Sequence, residues 1–211
     1  MRTIRKCVIC GCCKQKVEVP IMLSRYLGAT GLDNRPCNEA ELPVVQKCSR
    51  CGYCNFSIEG EIADKTRKVI ASEEYQRHIK RVSDDEYGDK LQAMLLYLQS
   101  IQSRIYVYLL LCWHYEWKKD IEMAGEMRRH AVQQMELAFR TESEIRVEEI
   151  LIYIDCLRQL GRFEEAKETV ESIETEVCKN LAEDQLPFQV YRYQKTLIEK
   201  RDAFAHTVAE V

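Results

Sequence analysis

Cys7-Val8-Ile9-Cys10-Gly11, and after a polar loop Cys48-Ser49-Arg50-Cys51-Gly52-Tyr53, are the two stretches that decide how this chain is read. Each is a Cys-x-x-Cys-Gly turn. Two residues between cysteines let one tight turn aim both sulfurs at a single point, and a following glycine takes the positive φ that a Cβ resists. Two such turns supply four thiolates, the closed tetrahedral set of a structural zinc site. The spacing therefore nominates Cys7, Cys10, Cys48 and Cys51 as metal ligands, with zinc as the cofactor and iron as a chemical alternative, since both accept tetrahedral sulfur.

Eight of the eleven cysteines fall in residues 1–56, so the ligand choice has competitors. Cys10/Cys13 and Cys51/Cys54 are also Cys-x-x-Cys pairs. The first choice rests on the glycine that directly follows Cys10 and Cys51. Cys12, Cys13, Cys37 and Cys54 are then left as packing or spare thiols, and the adjacent Cys12 and Cys13 point poorly at a shared second ion.

The 211 residues provide for a small module plus a medium one. Boundaries read from composition are 1–56 for a zinc-ribbon-like metal module, 57–103 for a helical connector and 104–211 for a helical domain. The metal module is too small to fold without its ion. Residues 1–56 carry nine Lys+Arg against four Asp+Glu, a charge of +5, and the remainder carries 22 against 30, a charge of −8. Four thiolates around a divalent ion bring the module to about +3. That excess is spread over loops without a Lys/Arg cluster, so nucleic-acid binding is a weak alternative. The longest apolar stretch, Ile105 to Trp113, is too short to span a bilayer. The start of the chain has no apolar run of signal-peptide length. A cytoplasmic location is expected, where thiols serve metals or packing in preference to disulfides.

Within the first module, Lys14 to Leu23 alternates with Val17 and Val19 on one face, and Val44-Val45-Gln46-Lys47 leads into the second knuckle; both read as short strands. Leu27 to Leu42 is rich in turn residues. Ser83-Asp84-Asp85-Glu86 reads as a helix start with Ser83 as the cap. Beyond it the period becomes helical. Ile105, Tyr108, Leu109, Cys112 and Trp113 form one stripe, and Ala124, Met127, Ala131, Met135 and Ala138 the next. Val147 to Leu157 ends at Leu160-Gly161. A further helix begins at Phe163, Asp184 to Pro187 is a break, and a last helix runs from about Phe188 to Ala205. Glu149 to Ile173 is similar to a tetratricopeptide repeat, with Gly161 opening the turn, Phe163 behind it and Ala166 at the close helix crossing. Ala131, one repeat period earlier, is its expected partner. The fold class is mainly α: a small ribbon followed by tetratricopeptide-like hairpins. Cys112, Cys156 and Cys178 read as buried small apolar residues of the helices, not as ligands, and the four histidines have no partners at catalytic spacing.

Taken whole, the chain resembles a bacterial family known as domain of unknown function 2225, which joins a paired Cys-Pro-x-Cys-Gly module to a tetratricopeptide-like helical domain. The resemblance rests on the two knuckles, on Leu32-Asp33-Asn34-Arg35-Pro36, on Tyr108 to Trp113 and on Leu157 to Ala166. Val8 and Ser49 stand where the family has proline. The resemblance implies this architecture and a metal site, and no reaction. The expected function is that of a non-enzymatic zinc-binding interaction protein, with its protein partner on the helical domain. A redox-responsive thiol regulator is the alternative.

Overall fold

The computed structural model describes residues 4–21, 30–141 and 145–211. The first element is a hairpin that the sequence reading missed in part. Strand β1 (Ile4–Ile9) pairs antiparallel with β2 (Lys16–Ile21), Val8 opposite Val17. Val8, Val17 and Val19 turn inward, and the side chains that alternate with them, Arg5, Cys7 and Ile9 on β1, turn outward. The second hairpin is shorter, with β3 (Gln46–Lys47) against β4 (Cys54–Asn55). Gln46 stitches the two together. Its amide donates to the Pro20 carbonyl at 3.4 Å, and its oxygen accepts from the Ile58 N–H at 3.1 Å.

Residues 57–103 are packed against these hairpins as a wall of helices. Helices α1 (Asp64–Ala71) and α2 (Glu73–Lys80) are separated by Ser72, whose hydroxyl accepts from the Tyr75 N–H and so caps α2. Ile70, Tyr75 and Ile79 are buried on the ribbon side. Helix α3 (Glu86–Leu95) begins one turn later, and its cap is Asp85, which accepts from the Gly88 N–H. Ser83, expected to be the cap, instead accepts from the Asp85 N–H and sets that residue in place.

The remaining helices are α4 (Ile101–Trp117), α5 (Ile121–Thr141), α6 (Val147–Gln159), α7 (Phe163–Ser172), α8 (Glu174–Asn180) and α9 (Leu186–Glu199). They form two hairpins, α4/α5 and α6/α7, with α9 packed on α6 and α7. The two hairpin turns share one construction. In each, a residue in the left-handed region ends the first helix, Lys119 at φ 61° and Gly161 at φ 73°. In each, a buried alanine sits five residues on, Ala124 and Ala166, where the second helix crosses closely. This equivalence pairs Ala166 with Ala124, and Ala131 lies two turns further along α5. Pro187 occupies the first turn of α9, where its missing N–H costs nothing. It starts that helix where a break was expected.

The expected last helix ends early, at Glu199, because its continuation is captured sideways. Arg158 of α6 is fully buried. Its guanidinium donates to Asp155 at 2.6 Å, to Gln194 at 3.2 Å, and to the carbonyls of Asp202 and Phe204 at 2.5 and 2.7 Å. Those carbonyls leave the helical path to reach it, and Phe204 is left exposed. The tail then pairs with the segment between the knuckles. Gly31 bridges Thr207, Leu32 N–H donates to the His206 carbonyl at 3.0 Å, and Val208 N–H donates to Thr30 at 2.9 Å. The end of the chain is thus tied to its first quarter.

Removing one partner of a buried ion pair strands the other charge. Arg158→Met is expected to cost about 3–5 kcal/mol in urea unfolding. Arg162→Met, at a half-exposed pair with Glu165, is expected to cost no more than about 1 kcal/mol.

Candidate metal centre

The tips of the two hairpins meet, and each tip is a knuckle built on the same hydrogen bonds. In the second, Cys48 N–H donates to Tyr53 O at 2.8 Å and Gly52 N–H to Cys48 O at 2.9 Å, with Gly52 at φ 77°. In the first, Cys10 N–H donates to Gln15 O at 2.9 Å and Lys14 N–H to Cys10 O at 2.9 Å, with Lys14 at φ 59°. The superposable unit is therefore Cys10-Gly11-Cys12-Cys13-Lys14 against Cys48-Ser49-Arg50-Cys51-Gly52. The left-handed residue after the second cysteine is a glycine in one knuckle and a lysine in the other.

This arrangement gathers Cys10, Cys13, Cys48 and Cys51, whose sulfurs all lie within 4.8 Å of one another. Cys10, Cys48 and Cys51 were nominated from sequence. Cys7 was nominated too, but it sits on β1 opposite Glu18, exposed and outside the cluster, and Cys13 takes the fourth corner. The glycine rule misdirected the choice. Gly11 is there for close approach. Its N–H donates to Ile58 O at 2.7 Å, and a Cβ on it would meet the Gly60 carbonyl oxygen at 2.1 Å. The signal that finds Cys13 is the alternation of β1. With Val8 inward, Cys7 must face away and cannot reach the tip.

The spacing fits a metal. Cys10 Sγ lies 3.8 Å from Cys51 Sγ, and Cys13 Sγ 3.7 Å from Cys48 Sγ. A tetrahedron with Zn–S bonds of about 2.3 Å has S···S edges of about 3.8 Å. The Arg50 N–H points at Cys48 Sγ at 3.4 Å, a donor suited to a thiolate. The four sulfurs are therefore close enough to hold a metal ion, and the set contains thiols alone.

Without a cation, Cys10 and Cys51 resist ionisation. Burial pushes the Cys10 thiol up to about 11 and Cys51 well above the thiol range. Burial also acts on Cys48, yet the N–H groups of Cys51 and Arg50 and the neighbouring sulfurs hold it below its ordinary value. Cys48 thus favours the thiolate while Cys10 and Cys51 disfavour it, and a divalent charge at the centre would stabilise those two as thiolates. Cys12 and Cys54 stand beside the cluster, both raised by burial, Cys54 to about 11. Cys54 donates to the Gly52 carbonyl at 3.3 Å and so acts as a packed thiol. Cys37 is exposed near Glu41, Cys112 and Cys156 are buried in the helices as expected, and Cys178, expected to be buried, is exposed on the short helix α8.

The helical wall grips the knuckles by their backbone. Arg67 of α1 donates to the carbonyls of Gly11 and Cys12. Gln76 of α2 donates to Cys51 O at 3.0 Å. Tyr75 donates to Gly52 O at 3.0 Å and accepts from Cys54 N–H at 3.1 Å. Tyr97 reaches Cys54 O at 2.6 Å. Tyr53 packs against Tyr97, their ring centroids 5.7 Å apart. None of these clamps was legible from sequence, because each joins the knuckles to residues with no metal-binding pattern of their own.

No protein-family model matches this chain, and no curated protein or solved structure matches it either. Among the described residues no helix is long and apolar enough to cross a membrane.

Substituting the corners separates the two ligand sets. Cys13→Ser is expected to lose the bound metal, and Cys7→Ser to keep one ion per chain, as read by elemental analysis of purified protein. Gly11→Ala is expected to weaken metal retention at least tenfold in a chelator competition, since its Cβ meets backbone.

Proposed function

We propose that this chain is a zinc-stapled protein-interaction module, built on the architecture and metal site that its resemblance to the domain 2225 family implies. In this reading Cys10, Cys13, Cys48 and Cys51 hold one structural zinc. The ion fixes two hairpins too small to be stable alone, and α4 to α9, read as tetratricopeptide-like, present a surface to a protein partner. The observation that carries the reading is the all-thiol set at tetrahedral spacing. A catalytic zinc keeps a position open, usually among histidine or carboxylate ligands, and no such group joins this cluster among the described residues. We therefore read the centre as structural and the chain as not an enzyme. A protein partner is favoured over nucleic acid because several basic groups of this region are engaged internally. Arg67 holds knuckle carbonyls, Lys47 donates to Ile79 O, and Lys6 pairs with Glu59. Thiols kept available for a metal agree with a reducing, cytoplasmic compartment.

A second reading draws on Cys12, whose thiol is buried and interacts with Cys51. Peroxide would oxidise this pair to a disulfide, the two thiols giving up two electrons and two protons as peroxide becomes two waters. Such a step would remove one metal ligand.

Elemental analysis is expected to find one zinc per chain. Chelation is expected to expose the amides of residues 4–21 and 30–58 to hydrogen exchange while those of α4 and α5 stay protected. Iron in place of zinc, or a ribbon that stays protected after chelation, would overturn the structural-zinc reading. Failure of the metal-loaded protein to retain any partner reproducibly from its own cell extract would remove the interaction half. Zinc release by mild peroxide, abolished in Cys12→Ser, would instead favour the redox reading.

A further inference from the structure

A cavity of about 640 Å³ lies between α4, α5 and the start of α6 on one side and the segment joining the two knuckles on the other. That volume is in the range of sites that enclose a small organic molecule. Ile105, Leu109, Met135, Ala138 and Ile152 make most of the wall apolar. Two further features set its preference for charge.

The first is Asp33. It lines the cavity, yet only 3% of its surface is exposed. One carboxylate oxygen accepts from Trp113 Nε1 at 2.8 Å and the other from the Arg35 N–H at 3.1 Å. A carboxylate can accept about four hydrogen bonds, so half its capacity is unused. It has no ion pair among the described residues. The two nearby guanidinium groups, Arg35 and Arg128, are both turned to Glu116. Burial, with the negative charge of Asp155 and Glu116, outweighs the Arg128 charge and the Trp113 hydrogen bond and pushes this acid up to about 6, the cost expected of a buried carboxylate that no ion pair contacts.

The second feature is the remaining lining. Tyr106, Trp113 and Phe139 contribute aromatic rings, whose faces attract cations. Glu41 and Glu149 add negative charge at the wall. Among the described residues the one basic group there, Arg146, donates to Glu149 at 3.0 Å. Aromatic rings, an unpaired buried carboxylate and an apolar body together are what a hydrophobic ammonium ion requires.

We propose that this cavity binds a small hydrophobic cation, its apolar body among the α4 and α5 side chains and its ammonium nitrogen directed at Asp33. The site is separate from the thiol cluster, and the proposal stands whether or not the bound metal is zinc.

Three ligands of equal length and different charge test it: octylammonium, octanol and octanoate, each titrated calorimetrically into the full-length, metal-loaded protein below micelle-forming concentration. Tryptophan emission is followed in parallel, because Trp113 lines the site. Octylammonium is expected to bind once per chain, at least tenfold more tightly than octanoate, with a change in emission. Asp33→Asn, which keeps an acceptor for the Trp113 N–H, is expected to weaken octylammonium about tenfold and leave octanol unchanged. Ala138→Met is expected to weaken all binding by filling the wall. Thermal melts establish that both variants are folded, and the comparison of ligands on the unaltered chain holds even if one is not. Equal affinity for the three ligands, tighter binding of octanoate, or no saturable binding of octylammonium would each overturn the proposal. So would a folded Asp33→Asn variant that binds octylammonium undiminished.

Discussion

Four sulfurs must reach one point, and that requirement governs the first half of the molecule. A single Cys-x-x-Cys turn delivers two of them, so two hairpin tips have to be brought together and held. The hairpins alone offer little to do this. Six residue pairs join β1 to β2, and only two join β3 to β4. A short two-stranded ribbon is marginal in water. The chain supplies the missing support in two ways. The thiol set can bind an ion whose affinity adds directly to folding, and α1 to α3 hold the knuckle carbonyls through Arg67, Tyr75, Gln76 and Tyr97.

The segment between the knuckles is constrained by the same centre. Cys13 lies at one end and Cys48 at the other, and both sit in the cluster. Its middle is pinned elsewhere. Asp33 accepts from Trp113 of α4, Arg35 pairs with Glu116 of α4, and Thr30 to Leu32 pair with the tail after α9. A stretch that reads as a turn-rich loop is therefore attached at both ends and through Thr30 to Arg35. It lies across α4 and forms one wall of the cavity there. The metal cluster and the helical hairpins are joined into one hydrophobic core that runs from Val8 to Ile198.

Two buried arginines organise the helical half in different ways. Arg158 collects acceptors from α6, α9 and the tail, and its bonds end the last helix where the apolar pattern would let it continue. Arg128 shares Glu116 with Arg35, linking α5 to α4 and to the inter-knuckle segment. Its Nε is buried without a hydrogen-bond partner among the described residues. Buried ionic groups of this kind add little net stability but penalise any arrangement that leaves them unpaired. Here they specify which surfaces meet.

The amino-acid sequence by itself determined the local elements. The paired cysteine turns, the inward valines of β2, the stripe of α5, and the Gly161 turn with Ala166 behind it all follow from period, spacing and backbone preference, whereas α4 is buried beyond its expected stripe, at Val107, Leu110 and Leu111. These are short-range constraints, legible from neighbours in the chain. Only the tertiary structure decided which thiols converge. The choice of Cys13 over Cys7 depends on β1 pairing with β2 and on Gly11 lying against Gly60, contacts between residues far apart in sequence. The end of α9 depends likewise on Arg158, and the equivalence of Ala124 with Ala166 on the actual turn at Lys119. Asp33 reads as a turn residue, and it becomes a buried carboxylate, with no ion pair among the described residues, only when α4 is packed over it. Side-chain direction and burial are set by partners that the linear pattern does not name.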